Sequence, residues 1–120
     1  MLRTRITYAI KPSFAAGAFC EFNPKERDGS YTVHVQDRNG QRRFSVPEER
    51  MTAIVRAVME LHLPPTSGPL GFDGTIHSLS IGVLTSVTYS WWQSIPSEWS
   101  ALCPIVSEIV AICGLEKTEI

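Results

Sequence analysis

Alternating apolar and polar positions dominate the first half of the chain. From Leu2 to Ile10, apolar side chains recur at every second residue, which is the period of a strand with one buried face. The same alternation returns from Ala16 to Asn23, and Pro12 is expected to interrupt the hydrogen-bond ladder between the two segments. We therefore predict two strands, with buried faces formed by Leu2, Thr4, Ile6, Tyr8 and Ile10 and by Ala18, Cys20 and Phe22.

A β-hairpin is predicted between Ser30 and Val46, where two alternating runs flank Asn39-Gly40. Asn-Gly is typical of a two-residue type I′ turn. A turn centred there pairs Arg38 with Gln41, Asp37 with Arg42, Val35 with Phe44, and Val33 with Val46. This register places the apolar pairs on one face and directs His34 and Gln36 to the other, which argues against a buried catalytic role for His34.

A helix is expected directly after the hairpin. The sequence from Ser45 to Glu48 matches a capping box with a proline in the first turn. Apolar residues then recur at helical spacing, and the prolines and glycine of HLPPTSGP end the helix. The apolar stripe consists of Met51, Ile54, Val55, Val58 and Leu61.

The second half of the chain predicts another hairpin and a second helix. Its strands run from Thr75 to Ile81 and from Ser86 to Trp92. Ser94 or Ser97 is the expected cap of the final helix, and Gly114 is its expected end. Pro104 either lies in the first full turn of this helix or kinks it. The apolar stripe consists of Trp99, Leu102, Val106, Ile109, Val110 and Cys113.

The predicted order of elements is ββββαββα within a single domain of residues 1–120. Strands outnumber helices, and tight hairpins lie in both halves of the chain. We therefore expect an α+β fold, with an antiparallel sheet of about six strands and two helices packed on one face.

Composition and charge narrow the classes of partner. The chain has 11 basic and 12 acidic residues, and no Lys or Arg occurs between Ala57 and Glu116. The arginines of the first half are scattered and accompany no nucleic-acid-binding motif, so we expect no nucleic-acid partner. No apolar run approaches the roughly 20 residues that span a bilayer, and no signal-peptide block begins the chain. An unprocessed cytoplasmic protein with no membrane partner is expected.

The sequence also argues against several chemistries. No phosphate-binding glycine loop, nucleophile elbow, zinc-protease motif or EF-hand loop is present. The three cysteines lack zinc-ligand spacing, so we expect reduced, buried thiols and neither metal nor cofactor. A small enzyme that uses His77 with Asp73 or Cys20 remains an alternative, because catalytic groups assemble in space.

The three tryptophans lie within the eleven residues from Tyr89 to Trp99. Because side chains alternate along a strand, Trp91 and Trp92 must point to opposite faces. Trp91 is in phase with Val87 and Tyr89, so we predict that it lies in the core near Trp99. Trp92 is then on the other face, where it either contacts a partner or is covered by a loop such as residues 11–17 or 64–71.

The chain resembles a group of small bacterial proteins. The resemblance rests on the order of elements and on four segments: SVPEERMTAIVRAVMEL, DGTIHSLSI, TSVTYSWW and PSEWSALCPIVSEIV. That group is similar to the emfourin-type inhibitors of thermolysin-like metalloproteases, and some toxin immunity proteins have a similar build. In the inhibitors, a glycine-rich loop with a phenylalanine follows the first strand. Residues 12–17 occupy that position here and keep Phe14 and Gly17, but they lack a double glycine.

The resemblance implies a compact protein that acts by binding another protein. We therefore predict a non-catalytic protein-binding domain, an inhibitor or an immunity factor. Its predicted contacts are Ser13, Phe14, Ala15, Gly17, Trp92 and Gln93. A homodimer in which the Trp92 face pairs with itself is a further alternative.

Overall fold

The computed structural model describes residues 4–13, 15–25, 28–65, 74–82 and 85–115. Its six strands are β1 (Ile6–Pro12), β2 (Ala18–Pro24), β3 (Tyr31–Asp37), β4 (Gly40–Val46), β5 (Thr75–Gly82) and β6 (Ser86–Trp92). Its helices are α1 (Glu48–Met59) and α2 (Leu102–Cys113), and a 3₁₀ turn at Ser97–Trp99 precedes α2. The element order ββββαββα and the α+β class are as predicted.

All six strands form one antiparallel sheet, in the spatial order β4-β3-β2-β1-β5-β6. The first four strands follow one another as a meander. After α1 the chain returns to the free side of β1, where β5 pairs with β1 over seven residue pairs, from Ile6–Ile81 to Pro12–Thr75. The sheet therefore has two edge strands, β4 and β6, which belong to opposite halves of the chain.

The core lies between the sheet and the two helices. Every second residue of the inner strands is buried, and the apolar stripes predicted for α1 and α2 face these residues. We call the helix-covered side of the sheet its inner face and the opposite side its outer face. The largest fully buried side chains are Tyr8, Phe22, Ile6, Ile10, Met51, Leu79, Leu102 and Ile109.

β1 extends past the point at which the sequence suggested that it ends. Pro12 is its last residue and pairs with Thr75. The backbone of Ser13 donates to Gly74, and Gly82 donates to Arg5, so odd-numbered residues of β1 bond to β5. The ring nitrogen of Pro12 therefore faces the β2 side, where pairing stops at Ile10 and Ala18. Pro12 therefore removes no hydrogen bond from the β1–β5 ladder, and β1 continues through this residue.

The predicted register of the β3–β4 hairpin is wrong by two residues. Asp37 pairs with Gly40, Val35 with Arg42 and Val33 with Phe44. The turn centres on Arg38 and Asn39, where the Asp37 carboxylate accepts a hydrogen bond from the backbone N–H of Asn39 at 2.9 Å. Gly40 has a positive φ of 111°, whereas Asn39 lacks the positive φ that a type I′ turn requires. The shift is even, so each side chain stays on its predicted face.

Neither helix begins with the predicted cap. Ser45 is part of β4, and its hydroxyl accepts a hydrogen bond from Lys25 instead of capping α1. The N-cap of α1 is Pro47, and its carbonyl accepts hydrogen bonds from the N–H groups of residues 50 and 51. α2 starts after Ala101, so Pro104 lies in its first turn without a kink. Gly114 ends α2 in the left-handed conformation, as predicted.

The cysteine prediction holds for two of the three thiols. Cys20 and Cys113 are buried, whereas Cys103 is exposed, which corrects the expectation of three buried thiols. Cys103 is the second residue of α2 and lies off the stripe that faces the sheet. Neither of the helices described is long and apolar enough to span a membrane.

Arg42 joins the β3–β4 hairpin to the end of α2. Both Nη atoms of Arg42 donate to the Asp37 carboxylate, at 3.2 and 2.9 Å, and Nη2 also donates to the carbonyl of Cys113 at 2.9 Å. The Asp37 side chain is only 1% exposed. Hydrogen bonding from Arg42 holds the pKa of Asp37 below its ordinary value. The guanidinium therefore donates hydrogen bonds both to a buried carboxylate and to a carbonyl at a helix C-terminus.

We predict that Arg42→Met destabilises the protein by about 1–2 kcal/mol at pH 7, because it leaves the Asp37 carboxylate buried without its cation. In the wild type, the depressed pKa contributes stability above the ordinary Asp pKa. That contribution is lost as pH falls through the folded-state pKa. Urea denaturation of both proteins should show a difference that shrinks below about pH 4. A difference that grows with acidity would contradict this account.

Candidate functional site

The two adjacent tryptophans lie on opposite faces of the sheet, as predicted. Trp91 is buried on the inner face, where its ring stacks on that of His77 with centroids 5.4 Å apart and planes 2° apart. The ring in contact with Trp99 is that of Tyr89, the inner-face neighbour of Trp91, with a centroid distance of 5.6 Å. Trp92 is half-buried on the outer face.

The two segments predicted to bind a partner meet at the same end of the sheet. Ser13 and Gly74 exchange three hydrogen bonds: the Ser13 backbone N–H and its hydroxyl donate to the Gly74 carbonyl at 3.0 and 2.9 Å, and the Gly74 N–H donates to the hydroxyl at 3.1 Å. The side-chain oxygen of Gln93 accepts from the N–H of Thr75 at 2.7 Å. The start of β5 therefore lies between the loop after β1 and the end of β6, and it holds both in place.

Gly74 gives this arrangement its close packing. Its φ is 127°, and a Cβ at this position would lie 2.6 Å from Nε1 of Trp92 and 2.7 Å from Oε1 of Gln93. Gln93 itself has a positive φ of 66°, which is uncommon for a residue with a side chain. The Trp92 indole thus packs against the backbone at the start of β5. Of the two loops that the sequence suggested as covers, Phe14 and residues 66–71 lie outside the described residues.

Two exposed apolar residues join Trp92 on the outer face. Ile76 pairs directly with Trp92 across the β5–β6 ladder and is 44% exposed. Phe19 lies two strands farther on, beside Ala9, and is 37% exposed. We call Phe19, Ile76 and Trp92 the outer-face patch. It extends across four strands, a distance of about 14 Å at the usual strand spacing.

Sequence reasoning missed Ile76 and Phe19 as site residues. The signal was present, because both are out of phase with the buried positions of their strands: His77 and Leu79 are buried in β5, and Cys20 and Phe22 are buried in β2. A large apolar side chain on the solvent face of an alternating strand is a candidate contact residue. Pairing in the sheet then brings them to the same end as Trp92.

Beyond the outer-face patch, hydroxyl groups cover this face of β5 and β6. Ser78 and Ser90 are hydrogen-bonded at 3.1 Å, and Ser80 and Thr88 at 2.9 Å. These pairs lie directly opposite one another in the ladder. The outer face of these two strands therefore carries no charged side chain.

The loop between β1 and β2 contributes the other predicted contacts. Ser13, Ala15 and Gly17 are exposed, and Phe14 lies outside the described residues. A Cβ at Gly17 would lie 2.2 Å from the carbonyl oxygen of Ile10. A glycine is therefore required at position 17 for the chain to pass close to β1. This structural requirement accounts for the glycine without a binding partner.

His77, the candidate catalytic residue, is buried in the inner face and is 2% exposed. Its Nδ1 and the Tyr8 hydroxyl are hydrogen-bonded at 2.9 Å, and its Nε2 makes no hydrogen bond of normal geometry. Burial lowers the pKa of His77, and a polar contact with the backbone of Gln93 opposes that shift. Burial also raises the pKa of Tyr8, so both groups are neutral at pH 7.

The structure does not bring His77 to the proposed nucleophile. His77 lies on β5 and Cys20 on β2, with β1 between them and a register offset of two residues, so their backbones are about 12 Å apart. Cys20 contacts Cys113, and this contact together with burial raises the pKa of the Cys113 thiol. The Cys113 thiol therefore has little thiolate character at neutral pH. Asp73, the other proposed partner, lies outside the described residues.

Within the described ranges, no three His, Cys, Asp or Glu side chains cluster closely enough to hold a metal ion. Comparisons of the chain with protein-family models, with curated proteins and with solved structures find no match. The geometry of the outer face is therefore the basis for a functional proposal.

The two tryptophans should differ in their effect on stability. Trp91→Ala removes a buried ring that stacks on both His77 and Tyr8, so we expect a loss of about 3–5 kcal/mol. Trp92→Ala removes a half-buried ring and should cost about 1–2 kcal/mol. Equilibrium urea denaturation measures both. Equal losses would mean that the two rings share one hydrophobic layer.

We also predict a pH dependence that originates at His77. Because its folded-state pKa is lowered, the unfolded chain binds the proton more readily, and stability should fall as pH drops below about 6.5. Tyr8→Phe/His77→Phe, which removes both partners of the buried hydrogen bond, should flatten the stability curve between pH 7 and pH 5. His34→Gln on the outer face is the control and should keep the wild-type slope. A double variant that keeps the full slope would contradict the assignment.

Proposed function

We propose that this chain is a non-catalytic domain that binds another protein through the outer-face patch and the adjoining loop of residues 13–17. One observation carries the proposal: Ser13 and the adjacent residues Trp92 and Gln93, which are far apart in the sequence, converge through Gly74 beside the exposed side chain of Ile76. Exposed Phe19 lies on the same face, two strands from Ile76. Exposed apolar side chains in a cluster, with hydroxyl and amide groups around them, are typical of a protein-binding surface.

The chemistry of the surface supports a protein partner over a charged ligand. Lys11, which pairs with Ile76, places a basic side chain beside the outer-face patch. The hydroxyls on β5 and β6 already bond in pairs and add no charge. Cores of protein interfaces are depleted in charged residues and enriched in aromatic ones. Trp92 is held in place by Gly74, so little rotamer entropy would be lost on binding.

The more specific form of the proposal is an inhibitor or an immunity factor. It rests on the resemblance to emfourin-type inhibitors, in which the loop after the first strand carries a phenylalanine and glycines. In this chain, the corresponding loop lies beside the outer-face patch and is anchored by Ser13. An inhibitor that presents a loop anchored at its base would bind an enzyme without reorganising its backbone. A thermolysin-like metalloprotease is the target class to assay first.

The experiment is affinity capture followed by binding measurements with the purified partner. Immobilised wild-type chain should capture a protein that Phe19→Glu and Ile76→Glu fail to capture, because each places a charge in the patch. Affinity should fall at least tenfold, which corresponds to about 1.4 kcal/mol. Ser80→Glu is the matched control, since it places the same charge on the same face outside the patch, and it should bind normally.

All three variants should keep the wild-type melting temperature within a few degrees, because Phe19 and Ile76 are exposed and Ser80 is half-buried outside the core, on the outer face. Equal capture by all of them would contradict the proposed surface. For the inhibitor hypothesis, titration of the wild-type chain into a thermolysin-like protease should reduce peptide hydrolysis in proportion to the amount of complex formed. Unchanged hydrolysis would restrict the proposal to other protein targets.

A further inference from the structure

A second interaction surface lies at the edge of the sheet. β6 is the last strand in the sheet order, and no segment among the described residues pairs with its far side. Unpaired backbone groups along an edge strand form a template on which another strand can pair. β6 has seven residues, which is long enough for a regular ladder.

The hydrogen-bond phase decides which backbone groups of β6 face outward. Gln93 donates its backbone N–H to the carbonyl of Thr75 at 2.7 Å, which marks these two as a hydrogen-bonded pair. Such pairs alternate along an antiparallel ladder, so residues 87, 89 and 91 also bond to β5. Thr88 and Ser90 therefore direct their N–H and C=O groups away from the sheet.

The two edges of the sheet differ in how they are protected against pairing. β4 carries Arg42 and Arg43 near the middle of the strand, and charges on an edge strand discourage pairing with other chains. β6 carries neither a charge nor a proline between its first and last residues. Val87 on this strand is 53% exposed on the inner face, where the helices leave it uncovered.

The free edge of β6 is suited to pairing with the same edge of a second copy of the chain. When two identical strands pair antiparallel about a two-fold axis, residues near the axis meet their own kind, so any charge would face a like charge. β6 has none, whereas the same pairing of β4 would bring arginines together. Hydroxyl groups both donate and accept, so Thr88 can bond to the second copy's Ser90. In that register Val87 lies opposite the second copy's Trp91, which would cover its exposed surface.

We propose that β6 pairs with β6 of a second copy of this chain, antiparallel about a two-fold axis at Tyr89, and joins the two sheets into one continuous sheet. The axis is perpendicular to the sheet, so both outer faces lie on the same side. The two outer-face patches then lie on one surface, and the dimer presents both to a partner. The proposal does not depend on the function argued above, because it rests on backbone groups and not on the patch.

The test measures the mass of the full chain by sedimentation equilibrium from low micromolar to millimolar concentration. The wild type should form a dimer. Thr88→Pro should be a folded monomer, because proline removes an N–H that faces away from β5 and leaves the internal ladder intact. Should this variant fail to fold, Ser90→Lys is the second test, since it places two ammonium groups close together near the axis. Ser80→Lys, on the neighbouring strand, should remain a dimer.

Amide hydrogen exchange checks that the dimer uses this edge. The amide of Ser90 should exchange slowly in the wild-type dimer and at least tenfold faster in the monomeric variants. A wild type that stays monomeric across the whole concentration range would overturn the proposal. A monomer whose Ser90 amide becomes protected only when a foreign extended peptide is added would overturn it too, because the edge would then bind another chain and not a second copy. A dimer that survives both Thr88→Pro and Ser90→Lys would overturn it as well.

Discussion

Successive side chains of an extended strand point to opposite faces, and in this protein both helices lie against only one of those faces. That constraint separates two sets of residues along the same strands. The even-numbered positions of β1 and the odd-numbered positions of β5 and β6 lie on the inner face and, apart from exposed Val87, contribute to the core. The intervening positions build the outer face. Trp91 and Trp92 show the separation most sharply, because one ring stacks on His77 in the core and the next lies beside exposed Ile76. The candidate binding surface exists because no described element covers that side.

The order, type and inner faces of the elements followed from the sequence, because periods of two and 3.6 are properties of local segments. The register of the β3–β4 hairpin did not follow from the sequence, because the side chain of Asp37 bonds to Asn39 and moves the turn by one residue. The helix starts were missed as well, because the N-cap residues are Pro47 and Ala101, whose side chains make no capping hydrogen bond. The convergence of Ser13 with Gln93 was beyond local reasoning, since it depends on β5 pairing with β1, more than 60 residues away in the chain. The alternation predicted the contact at Trp92 and the family resemblance predicted the loop of residues 13–17, and only the pairing of strands placed the two segments together.

The buried polar groups have a structural explanation that differs from the catalytic alternative. His77, Tyr8 and Trp91 stack, and the single hydrogen bond between His77 and Tyr8 satisfies one nitrogen and one hydroxyl. Burial lowers the pKa of His77 and keeps the imidazole neutral at pH 7. The outer face has the opposite character, with hydroxyl pairs on β5 and β6 and a few large apolar side chains exposed to water.

The most direct test of this two-sided sheet measures solvent contact at single side chains. Nuclear magnetic resonance with a soluble paramagnetic agent broadens the signals of protons in proportion to their contact with solvent. The account predicts strong broadening for the Ile76 methyl groups and the Phe19 ring, and little for Ile10 and Phe22, which belong to the same strands or their neighbours. Equal protection of Ile76 and Phe22 would show that the outer face is covered in solution, and it would contradict the account.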